Sequence, residues 1–146
     1  MGKTAVGCYL AEHHGFKHLD FETDVRMSFL SGDSSIIRRR VAVLQQQGRD
    51  VVISWGFVPD VQLDYVLLLR DAGFRWIWFD GDRERAHREY LSLGRAEADW
   101  ARQLRKIEAS IDPVLDTLAP QVVDTFSGSG RRDYAEIAAE LLRPAP

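Results

Sequence analysis

Three short apolar runs, Val51-Val52-Ile53-Ser54, Arg75-Trp76-Ile77-Trp78-Phe79 and Gln121-Val122-Val123-Asp124-Thr125-Phe126, are spaced along this chain with helix-length segments between them. Such strands carry apolar groups on both sides, so both sides need cover. A parallel sheet with helices packed on each face provides it. A fourth strand is expected over residues 17–22, where Leu19 and Phe21 point one way and His18, Asp20 and Glu22 the other. Between the strands, a helix over residues 4–14 buries Val6, Tyr9 and Leu10 and stops at Gly15. Asp33 or Ser34 caps a second helix, with the stripe Ile37, Val41, Leu44 and an end at Gly48. Pro59 opens a third, running through Leu63, Val66 and Leu67 toward Gly73. Residues 82–111 read as charged and helical, broken at Gly94, with the stripe Trp100, Leu104, Ile107, Ile111. Ser127-Gly128-Ser129-Gly130 is a turn, and Asp133 caps the closing helix. The fold class expected is α/β.

Composition narrows the function. With 146 residues, 45% of them hydrophobic and 28% charged, the chain suits one domain spanning residues 1–146 with a core of its own. A net charge of -3 argues against a general nucleic-acid or membrane-surface protein, since either needs a basic excess. Cys8 is the only cysteine, so no internal disulfide forms, and no apolar run is long enough to cross a bilayer. A cytoplasmic protein is expected.

The chemistry begins at Gly2-Lys3-Thr4, the closing half of the phosphate-cradling pattern G-x-x-x-x-G-K-[ST]. Each residue has a physical task. Helix N-terminal amides and the Lys3 ammonium hold phosphate oxygens, Gly2 lets the backbone approach them, and the Thr4 hydroxyl ligates magnesium. Asp20 follows Lys3 by 17 positions and Glu22 by 19, at a strand end, where open α/β sheets bind ligands. A carboxylate there can bind the metal's water shell or orient an acceptor hydroxyl. From Arg83 to Lys106, seven basic residues face four acidic ones, a local excess of +3 in an acidic chain. Arg83, Arg85 and Arg88 are candidates to meet the charge that spreads over a transferring phosphoryl group. Otherwise they are a solvated helix face with i,i+4 pairs such as Arg85 with Glu89.

These features together resemble the P-loop kinases of small molecules and nucleotides, the shikimate, gluconate and adenylate kinase group. The resemblance spans nearly the whole length: GKT and its helix, "HLDFE", "VVISWGF", "RWIWFDGD" leading into the Arg-rich stretch, and "VVDTFSGSG" before the last helix. It implies a three-layer P-loop NTPase fold with a mostly parallel sheet, whose first, central strand is missing here. It also implies ATP and Mg2+ as cofactors, with γ-phosphoryl transfer to a small-molecule or nucleotide acceptor. By the same resemblance, Lys3 and Asp20 act in catalysis with Arg85 and Arg88. Gly2, Lys3, Thr4, Arg83, Ser127 and Gly128 bind nucleotide, the last two in the adenine loop. Thr4 and Asp20 hold the metal, and residues 82–111 form the lid. Glu22 faces the acceptor, and Trp55 and Phe57, just beyond a strand end, line its pocket.

The chain departs from that family in two places. Trp55 stands where "VVISWGFVPD" resembles a segment carrying a Walker B acid, leaving Asp60 or Asp80 as helpers to the metal. The half-motif also implies a natural start upstream of Gly2, with a hydrophobic strand and a Gly-x-x-Gly turn. A non-catalytic nucleotide-binding or regulatory protein is therefore the second reading. The third is an α/β domain completed by a partner's strand. Ser127–Gly130 lacks the third glycine of a dinucleotide fingerprint. His13, His14 and His18 have no metal-binding spacing and read as surface or helix-end residues, while Trp76 and Trp78 read as core.

Overall fold

The computed structural model describes residues 2–21, 34–48, 50–56, 59–128 and 130–143, without the side chains of residues 44 and 59–61. Glu22, Asp33, Phe57, Ser129, and the side chains of Leu44 and Asp60 thus lie outside the described residues. In chain order the elements are α1 (Lys3–His14), β1 (Lys17–Asp20), α2 (Ser34–Gln46), β2 (Val51–Ser54), α3 (Pro59–Asp71) and β3 (Ile77–Asp80). There follow α4 (Arg83–Ser92), α5 (Glu97–Lys106), a π-helical turn (Ile107–Ile111), α6 (Asp112–Leu118), β4 (Gln121–Asp124), β5 (Phe126–Ser127), β6 (Gly130–Arg131) and α7 (Tyr134–Leu141). The chain divides into two compact units, Gly2–Gly56 with Arg132–Pro146, and Phe57–Arg131.

In the first unit β1 and β2 run parallel, in register from Lys17 beside Val51 to Asp20 beside Ser54. The first helix packs on both strands and on α7. Val6, Leu10, Leu19, Phe21, Ile37, Val41, Ile137, Ala138 and Leu141 are buried, each large side chain worth about 1.5–3 kcal/mol of transfer energy. Gly15, left-handed at φ 75°, ends α1 as the sequence predicts. The Asp133 carboxylate accepts the Ala135 N–H at 2.9 Å, which is the expected cap of α7. The alternating strand is shorter than the sequence suggests: it stops at Asp20, and Phe21 enters a turn with its N–H on the Ser54 carbonyl, 2.9 Å away.

In the second unit β3 and β4 are parallel, Ile77 beside Gln121 through Asp80 beside Asp124. The chain then turns back as an antiparallel hairpin, β5 with β6, across the expected Ser127–Gly130 turn. In α3 the buried residues are Tyr65, Val66 and Leu69, so its inward stripe is rotated from Leu63, Val66, Leu67. Pro113 sits in the first turn of α6, a helix beyond the expected helical limit at Ile111. Proline offers no N–H to the carbonyl four residues back and crowds it, and the wider π-helical turn that contains Ala109 gives the ring room. The helix ends at Ala119, left-handed at φ 44°. Ala119→Gly relieves the Cβ strain there and raises stability by about 0.5–1 kcal/mol, read as a higher urea midpoint.

Mixed α/β architecture is thus present, with a qualification on the sheet. Among the described residues the strands form two separate parallel pairs and one hairpin, not a single continuous sheet. β1 pairs with β2 and β3 with β4, and the second edges of β2 and β3 carry no strand among those residues. Correspondingly, β3 is half-buried at each position, and Trp76 and Trp78 are half-buried where a core position was expected. No helix among the described residues is long and apolar enough to cross a membrane.

Candidate functional site

Gly2 caps α1 with a left-handed φ of 92°, a conformation that favours glycine, and no side chain caps the helix. The first turn contains no acidic residue, so its amides and the half-buried Lys3 present an uninterrupted positive end. Thr4, exposed in that turn, donates its hydroxyl hydrogen to Asp20 Oδ2 at 3.2 Å. The residues assigned to magnesium from sequence are thereby brought together, 16 positions apart in the chain. Both are hard oxygen donors. They fit a small divalent cation that keeps its other positions for water and phosphate. Among the described residues no group of three or more His, Cys, Asp or Glu forms a protein-only cage.

Beside this cluster, Trp55 stacks on Phe21 with ring centroids 5.4 Å apart, next to the paired strand ends Asp20 and Ser54. It is half-buried and partly committed to packing. Glu22 and Phe57, the other acceptor-side residues, lie outside the described set.

The second unit gathers the other candidates at the C-terminal ends of β3 and β4. Asp80 and Asp124 are register partners there. Gly81, at φ 126°, lies so close to Asp124 that a Cβ would strike the carboxylate. Asp124 Oδ1 meanwhile accepts the Phe126 N–H at 2.8 Å, and Thr125 donates its hydroxyl to the Asp80 carbonyl at 3.1 Å. These contacts fix the chain as it enters the hairpin. Arg85, capped at its own N–H by Asp82, reaches the Gly128 carbonyl with Nη2 at 2.8 Å and lies over the Phe126 ring at 5.9 Å. Arg131 pairs with Glu89 at 3.2 Å. Arg85, assigned from sequence to the transferring phosphoryl group, is thus joined to Gly128, assigned separately to the nucleotide base, and the expected pair of Arg85 with Glu89 is replaced by these two contacts.

Arg83 is held between carboxylates. Its Nη1 and Nη2 donate to the two oxygens of Asp112 at 3.1 and 2.9 Å, and Nη2 and Nε donate to Asp80 at 3.2 and 3.4 Å. Hydrogen bonds to Asp112 and then Asp80 raise its pKa further above the arginine range, against a smaller opposing effect of burial. A phosphate reaching Arg83 has to displace a carboxylate. Asp80, also bonded to Trp78 Nε1 at 3.4 Å, is likewise engaged. Arg88 is exposed and 3.9 Å from Glu84, an i,i+4 pair of little strength.

Two groupings escape sequence reasoning. Asp112 carries no local signal of its partnership with Arg83. His18, expected at the surface, is half-buried between Cys8 and Ser54. Its ring occupies the space above Gly7, where any Cβ would collide with it. His13 and His14 are exposed at the end of α1, as expected.

No protein-family model, no curated protein and no solved structure matches the chain.

Proposed function

We propose that the protein is an ATP-binding, P-loop kinase-like phosphotransferase, which moves the γ-phosphoryl group of magnesium ATP to a small-molecule or nucleotide acceptor. One observation carries this reading: the Thr4 hydroxyl and the Asp20 carboxylate meet beside the uncapped N-terminus of α1, which Lys3 opens. Lys3 binds the β- and γ-phosphates. Thr4 and Asp20 ligate the magnesium directly or through its water, and when bound the ion offsets phosphate charge as the bond breaks. The resemblance to the P-loop kinases assigns Arg85 and Arg88 to the developing negative charge and Ser127 and Gly128 to the base. Glu22, Trp55 and Phe57 face the acceptor.

The fold that goes with this function is the three-layer P-loop fold. A cytoplasmic location suits both ATP and a single unpaired cysteine.

A second reading, nucleotide binding without turnover, is favoured by the position of Trp55 at the end of β2, where a metal-binding acid belongs in this family. Calorimetric titration with ATP, with and without magnesium, followed by a screen for phosphoryl transfer, separates the two. Saturable binding with transfer supports the kinase, and saturable binding without transfer supports the second reading. Absence of binding at millimolar ATP sinks both.

A further inference from the structure

The side of α1 that meets the polar side of β1 makes two cross-contacts one helical turn apart. The first is Thr4 with Asp20, and the second is Cys8 with His18. Cys8 Sγ lies 3.6 Å from His18 Nδ1, and His18 Nε2 lies 2.9 Å from Ser54 Oγ. Cys8 is exposed, His18 half-buried and Ser54 only 5% exposed. Three side chains from three elements therefore stand in sequence from solvent inward: a sulfur nucleophile, a base and a hydroxyl that orients the base.

The arrangement has chemical content because the nucleophile of a cysteine is its thiolate, which a neighbouring base can generate at the moment of attack. Either tautomer satisfies both contacts, and the one with its hydrogen on Nε2, donated to Ser54 Oγ, leaves the Nδ1 lone pair for the Cys8 S–H. Gly7 makes the geometry possible, since a larger residue there would strike the imidazole ring. A disulfide in solution can reach the sulfur, while the ring that serves it is fixed by strand β2.

We propose that Cys8 is a base-assisted thiol that exchanges with small-molecule disulfides, and so is a site of reversible S-thiolation. In this step His18 Nδ1 accepts the thiol proton as Cys8 Sγ attacks one sulfur of the disulfide. The new sulfur–sulfur bond forms as the old one breaks, and the departing thiolate takes the proton from the imidazolium. The disulfide is the oxidant: Cys8 ends in a mixed disulfide, and the released half ends as a thiol. The inference is independent of nucleotide binding and stands or falls on the reactivity of one sulfur.

The test uses the full chain, oxidised glutathione at neutral pH, and intact mass to follow the adduct. The same chain in urea supplies the rate of an unassisted Cys8. The native protein is expected to react at least about tenfold faster than the unfolded chain, and a reducing thiol returns the original mass. His18→Gln brings the native rate down to the unfolded one, and Ser54→Ala brings it part of the way, with circular dichroism confirming that each variant is folded. A native rate no faster than the unfolded rate overturns the proposal, whatever the variants do. So does a folded His18→Gln that keeps the wild-type rate. Should His18→Gln fail to fold, Ser54→Ala and the native-to-unfolded comparison still decide.

Discussion

On the proposed phosphotransferase reading, Lys3→Ala is expected to weaken binding of ATP by about 2–3 kcal/mol, roughly thirtyfold to 150-fold in Kd, whether or not magnesium is present. The size follows from what is lost on that reading: a charge-assisted contact to phosphate at a helix end that no side chain caps and whose first turn holds no acidic residue. Thr4→Val and Asp20→Asn differ in kind. Each removes an oxygen donor of the Thr4–Asp20 pair, so each lowers affinity for magnesium ATP while leaving metal-free ATP binding close to wild type. Calorimetry in magnesium and in chelator gives both numbers for each variant. If all three variants lose affinity equally under both conditions, the pair is structural and magnesium is not held there. Arg88→Ala completes the set. Its guanidinium is exposed and weakly paired, so on the proposed reading its loss is expected to slow phosphoryl transfer while leaving ATP affinity unchanged.

How far the sequence foretells this arrangement depends on whether the contact is local. Strand β2 is legible because four successive apolar or small residues stand between the end of one helix and Pro59. The last helix is legible because Asp133 can cap it from within the same segment. The Thr4–Asp20 pair is legible through the spacing of a motif, which encodes a helix and a strand end of fixed lengths. Strand β3 is legible only approximately. Its apolar run begins before Ile77, but the Trp76 carbonyl only receives the Gln121 N–H, and ladder pairing starts one residue later. An apolar run marks what seeks cover, whereas the length of the partner sets where pairing begins.

Helix α6 lies beyond the helical limit expected at Ile111, and Pro113 in its first turn leaves no needed N–H unmade. The Cys8–His18–Ser54 group is hidden in the sequence. It depends on the empty space above Gly7, a glycine inside a helix that sequence alone marks only as a weak point. Arg83 with Asp112 is harder still, since 29 residues separate them and no pattern links the two.

Arg83 supplies the second large effect. Arg83→Met destabilises the unit containing β3 and β4 by about 2 kcal/mol, between the small worth of a surface pair and the larger cost of breaking a buried one. The intermediate value follows from exposure: the Arg83 side chain is 36% accessible, with Asp80 at 29% and Asp112 at 36%. Removing the cation leaves two partly desolvated carboxylates without the group they share. Arg83→Lys keeps the charge but cannot span both aspartates with a planar fork, so it recovers only part of the loss. Arg83→Met combined with Asp112→Asn removes the orphaned charge as well, and is less destabilised than the sum of the two single changes. Urea unfolding followed by tryptophan fluorescence reads this unit, because Trp76, Trp78 and Trp100 belong to it and Trp55 alone does not. The same variants also separate two roles for Arg83. A strut between α4 and the start of α6 loses stability at unchanged ATP affinity. A phosphate ligand loses affinity in Arg83→Met at ATP concentrations where the variant remains folded. The fourfold engagement of its guanidinium with Asp112 and Asp80 predicts the first outcome.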